Sequence, residues 1–431
     1  MTTPRMIGVP IKAAIVGAGS TYTPELVDGL LRRAAALPVR TLSLVDPDEQ
    51  RLGVLAPFVA RMCQAAGQDV SVEATTDLHA GVRAASLVFS QFRVGGQAAR
   101  HGDEQLGRRW GIVGQETTGV GGLAKGLRTI PVALAVQAAV AQEARPDAWL
   151  VNFTNPAGMV TEALLRHGAG DPPRVLGLCN FPWTLRAQLG AAFGAAANEV
   201  DLDYVGLNHL AWVRDVAVGG RPSFAQARSA WREGSDAPFG PGLLDDVGLI
   251  LNPYLQYYYE TARILHRQTC TPTRASDVAT AEANLLARYA DTTTTWDPSM
   301  LAGRGGASYS EAAAALAADL YAGPGGRHVV NVLNAGALPG LPADAVVETT
   351  CHVTSDGAVP RPTSPLTGPA AGLAAQVKDY ERYAIDAAIS GDQRAARLAL
   401  LTHPLCPDAT ATADLLDDLL ATNRQWLPAF A

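Results

Sequence analysis

Residues 11–31, IKAAIVGAGSTYTPELVDGLL, decide the fold. Ile11 to Val16 is a short apolar run. Gly17-Ala18-Gly19-Ser20 follows it, and from Pro24 to Leu31 the apolar residues recur at helical spacing. The order is strand, tight glycine turn, helix. A second apolar strand, Thr41 to Val45, ends on the carboxylate of Asp46, and Asp48-Glu49-Gln50-Arg51-Leu52 opens another helix. This completes a βαβ unit. In such a unit two glycines let the backbone approach a pyrophosphate at the positive end of the following helix. Gly17, Gly19, Ser20 and Thr21 are therefore the candidate phosphate cradle, although any strand-to-helix turn can carry two glycines and the third of the usual fingerprint is displaced here. Asp46 stands where a carboxylate accepts both ribose hydroxyls and repels a 2′-phosphate, which favours NAD over NADP.

Outward from this unit, strands are expected at Leu87–Phe92, Ala148–Phe153 and Val175–Cys179, alternating with Ala-rich helices at Thr129–Glu143 and Ala157–Arg166. That alternation predicts a doubly wound parallel sheet. Past Cys179 the pattern loosens. A strand is expected at Leu202–Leu207, a polar stretch from Arg214 to Asp246, and one long helical run from Leu255 to Arg267. Ala281–Tyr289 and Glu311–Tyr321 read as helices, Val329–Asn334 and Ala345–Val353 as strands, Val359–Pro369 as a loop, and the chain from Gly372 onward as Ala/Leu-rich helices.

The composition narrows the function. The 431 residues suit roughly two or three packed domains. With 48% hydrophobic and 17% charged residues, the chain is neither disordered nor a coiled coil. A formal charge of −7 attracts neither nucleic acid nor an anionic membrane. No leader-like N-terminus and no uninterrupted apolar run of spanning length appear, so a cytoplasmic protein is expected. The five cysteines are odd in number and scattered, which in a reducing compartment means free thiols or a metal ligand.

Several polar residues sit where expected strands end. Asn152 and Asn155 lie at the end of one strand, in a place that also suits a turn with an Asx cap. Cys179-Asn180 and Asn208-His209 end two others. Thiolate and imidazole together hold a divalent ion with positions left open for substrate oxygens. Two donors do not fix a metal, and a buried thiol with a hydrogen-bonded histidine fits the same pattern. Asn252-Pro253-Tyr254-Leu255-Gln256-Tyr257-Tyr258-Tyr259 is the densest aromatic stretch in a chain with only 6% aromatics. Such tyrosines usually pack, but one beside a cation can act as a base. Arg93 lies just past a strand and Arg274 in the polar loop Thr271–Arg274. Either can be a surface charge, and together they match an anionic substrate group.

These segments, taken in order, name a family. GAGSTYTPELV (17–27), VDPDEQRL (45–52), FRVGG (92–96), DEQLGRRWGIVGQETTGVGGLAKGLRTIP (103–131), VNFTNPAGMVTEA (151–163), GLCNFP (177–182), GLNHLAW (206–212), NPYLQYYY (252–259) and LNAGALPGLPADAVVE (333–348) closely resemble the NAD- and manganese-dependent glycoside hydrolases of family four. The resemblance covers nearly the whole chain. It implies a Rossmann-type doubly wound domain, residues 10–178, followed by a mixed α+β catalytic domain, 179–431, in a lactate/malate dehydrogenase-like architecture.

The resemblance also implies a redox route to glycoside cleavage. NAD+ takes hydride from C3 of the sugar, a base removes the acidified C2 proton, and the aglycone leaves by elimination. Water then adds at C1 and the hydride returns to C3, so the cofactor is regenerated. By the same resemblance Cys179 and His209 hold Mn2+ or another divalent ion, and Tyr254 is the C2 base with Tyr257 as second choice. Arg93 and Arg274 grip a 6-phosphate, and Asn155 and Asn180 contact the sugar. Family members acting on α-linked phosphoglucosides tend to carry Asp after the metal cysteine. Asn180 here cannot protonate a leaving group, which points to the β-glucoside branch. A phosphorylated β-glucoside is thus the expected substrate, with a phospho-α-glucoside, an α-galactoside or a plain 2-hydroxyacid oxidation as alternatives. A homodimer or homotetramer is the expected assembly.

Overall fold

The computed structural model describes residues 10–170, 173–234, 239–301, 309–321 and 325–430. The apolar runs become the strands β1 (Ile11–Val16), β2 (Val39–Val45), β3 (Ser71–Thr75), β4 (Leu87–Ser90), β5 (Trp149–Asn152) and β6 (Val175–Gly177). These six pair in parallel in the order β3-β2-β1-β4-β5-β6, the doubly wound Rossmann arrangement. Period-two alternation sends successive residues to opposite faces. Ala14, Val16 and Val88 enter one core, while Ala13, Ile15, Leu87 and Phe89 enter the other. Helices cover both.

The sheet does not stop at Leu178. Antiparallel strands extend it through β7 (Val200–Leu207), β8 (Leu210–Val218), β9 (Arg221–Pro222), β10 (Ile250–Leu251), β11 (Gly326–Leu333), β12 (Val346–Thr354) and β13 (Gly357–Pro360). The junction is β6 with β11, where Asn331 faces Gly177. From there the order runs β11-β12-β7-β8-β10, with β9 and β13 on the flanks. One sheet therefore underlies both the parallel half and the mixed α+β half.

Several expected elements differ in extent. The polar stretch from Arg214 to Asp246 begins inside β8 and holds the helix Phe224–Gly234, whose apolar residues Ala227 and Trp231 are buried. The helical run from Leu255 is broken at Glu260, which separates a short turn of helix at Gln256–Tyr259 from the helix Thr261–Cys270. Arg274 is not in a loop. It is the first residue of the helix Arg274–Ala290, capped by the Thr273 side chain, which accepts the Ser276 amide. The first residues of the loop expected at Val359–Pro369 are drawn into β13 because they pair with the edge of β12. The 25-residue helix Gly119–Glu143 is long and apolar enough to cross a membrane, but 72% of its most apolar window is buried inside the protein. All five cysteines are free thiols.

Candidate active site

A cleft of about 1250 Å³ opens outside the carboxyl ends of the parallel strands. Gly17, Gly19, Ser20 and Asp46 line one end, while Cys179, His209, Tyr254, Arg93, Asn155, Asn180 and Arg274 line the other. Residues from eight separate stretches of sequence thus face one space.

The glycine turn fits a pyrophosphate. Gly17 adopts φ +88°, and a Cβ there would lie 2.6 Å from the backbone N and Cα of Phe92. Only glycine is comfortable there. Gly19 donates its amide to Asp46 Oδ2 at 2.8 Å, and Asp48 donates its own to Oδ1 at 2.9 Å. Asp46, one residue beyond the end of β2, is thereby fixed at the mouth of the turn with acceptor capacity left on both oxygens. Arg51 braces the same turn by donating to the Gly19 carbonyl at 2.9 Å while pairing with Glu282 at 3.2 Å. Thr21 does not join this group. Its side chain is fully buried and absent from the cleft wall, and its carbonyl receives the Tyr289 hydroxyl.

At the other end, Cys179 Sγ lies 3.6 Å from His209 Nε2. At that separation the sulfur and the ring nitrogen are close enough to serve as two donors to one divalent ion. The tautomer is also set. Gln115 Oε1 accepts both the Thr117 amide and, at 2.8 Å, its hydroxyl, so Thr117 Oγ1 receives the proton of His209 Nδ1 at 3.0 Å. This leaves the Nε2 lone pair facing the sulfur. Burial pushes the His209 pKa down to about 3, so the ring is neutral. His209 sits in the two-residue turn between β7 and β8 with φ +62°, a conformation of the kind strained sites use to aim a side chain.

The thiol lies at the start of the helix Phe181–Phe193, where its sulfur accepts from the amides of Asn180 and Phe181 and from the Asn208 side chain. Burial, aided by the charge of Glu348, nevertheless pushes its pKa up to about 12. A divalent cation beside the sulfur would stabilise the thiolate form. No cluster of three His, Cys, Asp or Glu side chains suited to a metal occurs among the described residues. The two donors fit an ion whose remaining positions go to substrate oxygens and water.

Tyr254 stacks flat on His209, ring centroids 3.7 Å apart and planes 7° from parallel. Burial holds its phenol well above the ordinary tyrosine range, so it needs a nearby positive charge to ionise. Tyr257 is not among the residues lining the cleft and packs instead with Val113, Ile264 and Leu405.

Beside this pair lies a cluster that the sequence did not single out. Glu116 binds Arg93, Lys125 at 2.6 Å and Arg100 at 3.4 Å. The three cations overcome burial and hold its carboxyl well below the usual range. Burial and the adjacent Arg93 push Lys125 down to about 7, only partly offset by Glu116. Glu348, behind the cleft, is a second omission. It is fully buried and accepts from Asn208 at 2.9 Å, Tyr204 at 3.0 Å and Asn331 at 3.3 Å. Burial pushes it up to about 7 despite these donors. Both residues lie inside segments that resemble the family, but nothing in their local spacing marks them.

The strand-end glycine turn and the thiol–imidazole pair face each other across one cleft at the carboxyl ends of a doubly wound sheet, the place where enzymes of this fold class bind their ligands. The family 4 glycosyl hydrolase model matches residues 12–194, and the model of that family's C-terminal domain matches residues 204–406. The chain belongs to family 4 of the glycosyl hydrolases. A probable 6-phospho-beta-glucosidase of Bacillus subtilis is 38% identical over 435 residues, covering 97% of this chain and 98% of the relative. The 6-phospho-alpha-glucosidase of Leptotrichia buccalis is 25% identical over 442 residues, covering 96% and 98%. The 6-phospho-beta glucosidase of Thermotoga maritima with NAD and glucose-6-phosphate superposes with a TM-score of 0.90 at 33% identity, covering 96% of this chain and 99% of that one. The same enzyme with manganese, NAD+ and glucose-6-phosphate gives 0.89 at 33% identity, with the same coverage.

Proposed function

We propose that this protein hydrolyses 6-phospho-β-glucosides by the redox, elimination and addition sequence. The observation that carries the reading is the 3.6 Å approach of Cys179 to His209, with Tyr254 stacked on the imidazole, in the cleft that also holds the Gly17–Asp46 turn. When bound, NAD supplies a reversible hydride acceptor at C3 of the sugar, and a divalent cation supplies positive charge at the C2 and C3 oxygens.

The chain's own residues do the rest. Gly17, Gly19 and Ser20 admit the pyrophosphate, and Asp46 accepts the ribose hydroxyls. Cys179 and His209 hold the cation. Arg93 and Arg274 bind the 6-phosphate from the cleft wall. Glu116 keeps Arg93 in place while also pairing with Arg100 and Lys125, and Arg100 pairs in turn with Glu104. Asn155 and Asn180 offer amides to the sugar hydroxyls. Tyr254 removes and returns the C2 proton. Asn180 caps no acid onto the aglycone, which suits a leaving group that departs by elimination. The β anomer is supported by Asn180 and by the higher identity to the Bacillus subtilis relative than to the Leptotrichia buccalis one.

The test uses 4-nitrophenyl 6-phospho-β-glucoside in D2O with NAD+ and Mn2+. Phenol release with deuterium at C2 of the glucose 6-phosphate is expected. Release without deuterium removes the elimination route, and cleavage of the α-linked substrate alone removes the anomeric assignment.

A further inference from the structure

A second cavity, of about 890 Å³, lies on the other side of the helix Phe181–Phe193 from the cleft. Asn180, Phe181 and Thr184 line the cleft, whereas Trp183 and Arg186, three residues apart on one helix face, line the second cavity. Arg186 is only 4% exposed. Its Nη1 donates to the Arg327 carbonyl at 2.7 Å, but among the described residues neither Nε nor Nη2 has a hydrogen-bond partner. Those two nitrogens form the edge of the guanidinium that grips an oxyanion with two parallel hydrogen bonds. A buried cation with that edge unmade carries the full desolvation cost of the group.

The surroundings raise the positive potential further. Among the described residues Arg33, Arg327 and Arg361 also line the cavity, against one lining carboxylate, Asp319. Asp319 is engaged by His328 at 2.7 Å, Arg33 by Glu311 at 2.9 Å, and Arg327 and Arg361 share Asp201 at 3.3 and 2.8 Å. Burial and the neighbouring Arg327 and Arg361 push Arg186 down to about 10, and only Asp201 opposes them. Among the described residues no carboxylate is bonded to Arg186 itself.

We propose that this cavity is an anion-binding site for a small phosphate- or carboxylate-bearing molecule, held by the Nε and Nη2 edge of Arg186, separate from the catalytic cleft. The depth of Arg186 favours a small ligand that enters the cavity over a flat protein surface laid across it. Trp183 supplies an aromatic wall for the remainder of the ligand.

Equilibrium dialysis with radiolabelled inorganic phosphate, and a parallel series with malonate, tests this on the full chain. Arg186→Leu is expected to lose one class of phosphate or malonate sites that the parent shows, and Arg186→Lys to bind about tenfold more weakly than the parent. The two probes separate a phosphate ligand from a carboxylate one. If Arg186→Leu fails to fold, Arg327→Gln, at a side chain 59% exposed, carries the test and should weaken the same class. Superimposable isotherms for parent and variants with both probes overturn the proposal. So does an Arg186→Leu protein whose sedimentation changes while its anion binding does not, since another copy of the chain would then fill the cavity.

Discussion

Replacing Cys179 by Ser separates a metal ligand from a buried structural thiol. In the metal-free protein the thiol pKa is pushed up to about 12, chiefly by burial. Ionising it at pH 7 spans about five pKa units, which at 1.36 kcal/mol each is about 7 kcal/mol. Cation binding must supply that, because only the thiolate ligates. His209, held down to about 3, has no proton to lose above pH 5. The parent should therefore release one proton per ion, and its apparent Mn2+ affinity should rise about tenfold per pH unit between pH 6 and 9. Isothermal titration in two buffers of different ionisation enthalpy counts the proton. Cys179→Ser should flatten the pH slope and lower affinity by more than about 100-fold, beyond what outer-shell changes cost. The melting temperature of the metal-free variant should stay close to the parent's. A parent that binds Mn2+ without releasing a proton, or a Ser variant with the parent's slope, removes Cys179 from the site.

Three further outcomes follow from the geometry. Tyr254→Phe should cut kcat by about 10² to 10⁴, the usual contribution of a general base, and abolish C2 deuterium incorporation while leaving NAD titration unchanged; retained exchange assigns the base elsewhere. Gly17→Ala places a Cβ 2.6 Å from the Phe92 backbone at φ +88°. It should cost about 2–5 kcal/mol in denaturant unfolding, the sum of a left-handed backbone penalty and overpacking, and also weaken NAD binding; an unaltered NAD isotherm contradicts the cradle. Glu116 has its folded pKa depressed by Arg93, Lys125 and Arg100, so its stabilisation is present above about 4.5 and is lost as pH falls through the folded value. Glu116→Gln should cost about 3–5 kcal/mol at pH 7 and remove part of the parent's loss of melting temperature below pH 4.5; parallel pH curves for the two proteins would show that the carboxylate is not so held.

Local sequence determined the parallel half of this protein. Alternating apolar runs, a glycine pair and a terminal carboxylate act over a few residues, so β1, β2 and the turn between Gly17 and Asp46 follow from the chain itself. Resemblance along the whole chain added the thiol, imidazole and tyrosine, which are 30 and 45 residues apart in sequence order and carry no local signal of proximity. Tertiary structure alone brought Cys179 and His209 to 3.6 Å, by pairing β6, through β11 and β12, with β7. It also turned Thr21 and Tyr257 away from the cleft, because each fills a packing site formed by distant elements. The same holds for Glu116 with its three cations, the buried Glu348, and the two unbonded nitrogens of Arg186. Charge and desolvation are properties of the surroundings of a side chain in space, and those surroundings come from segments far apart along the chain.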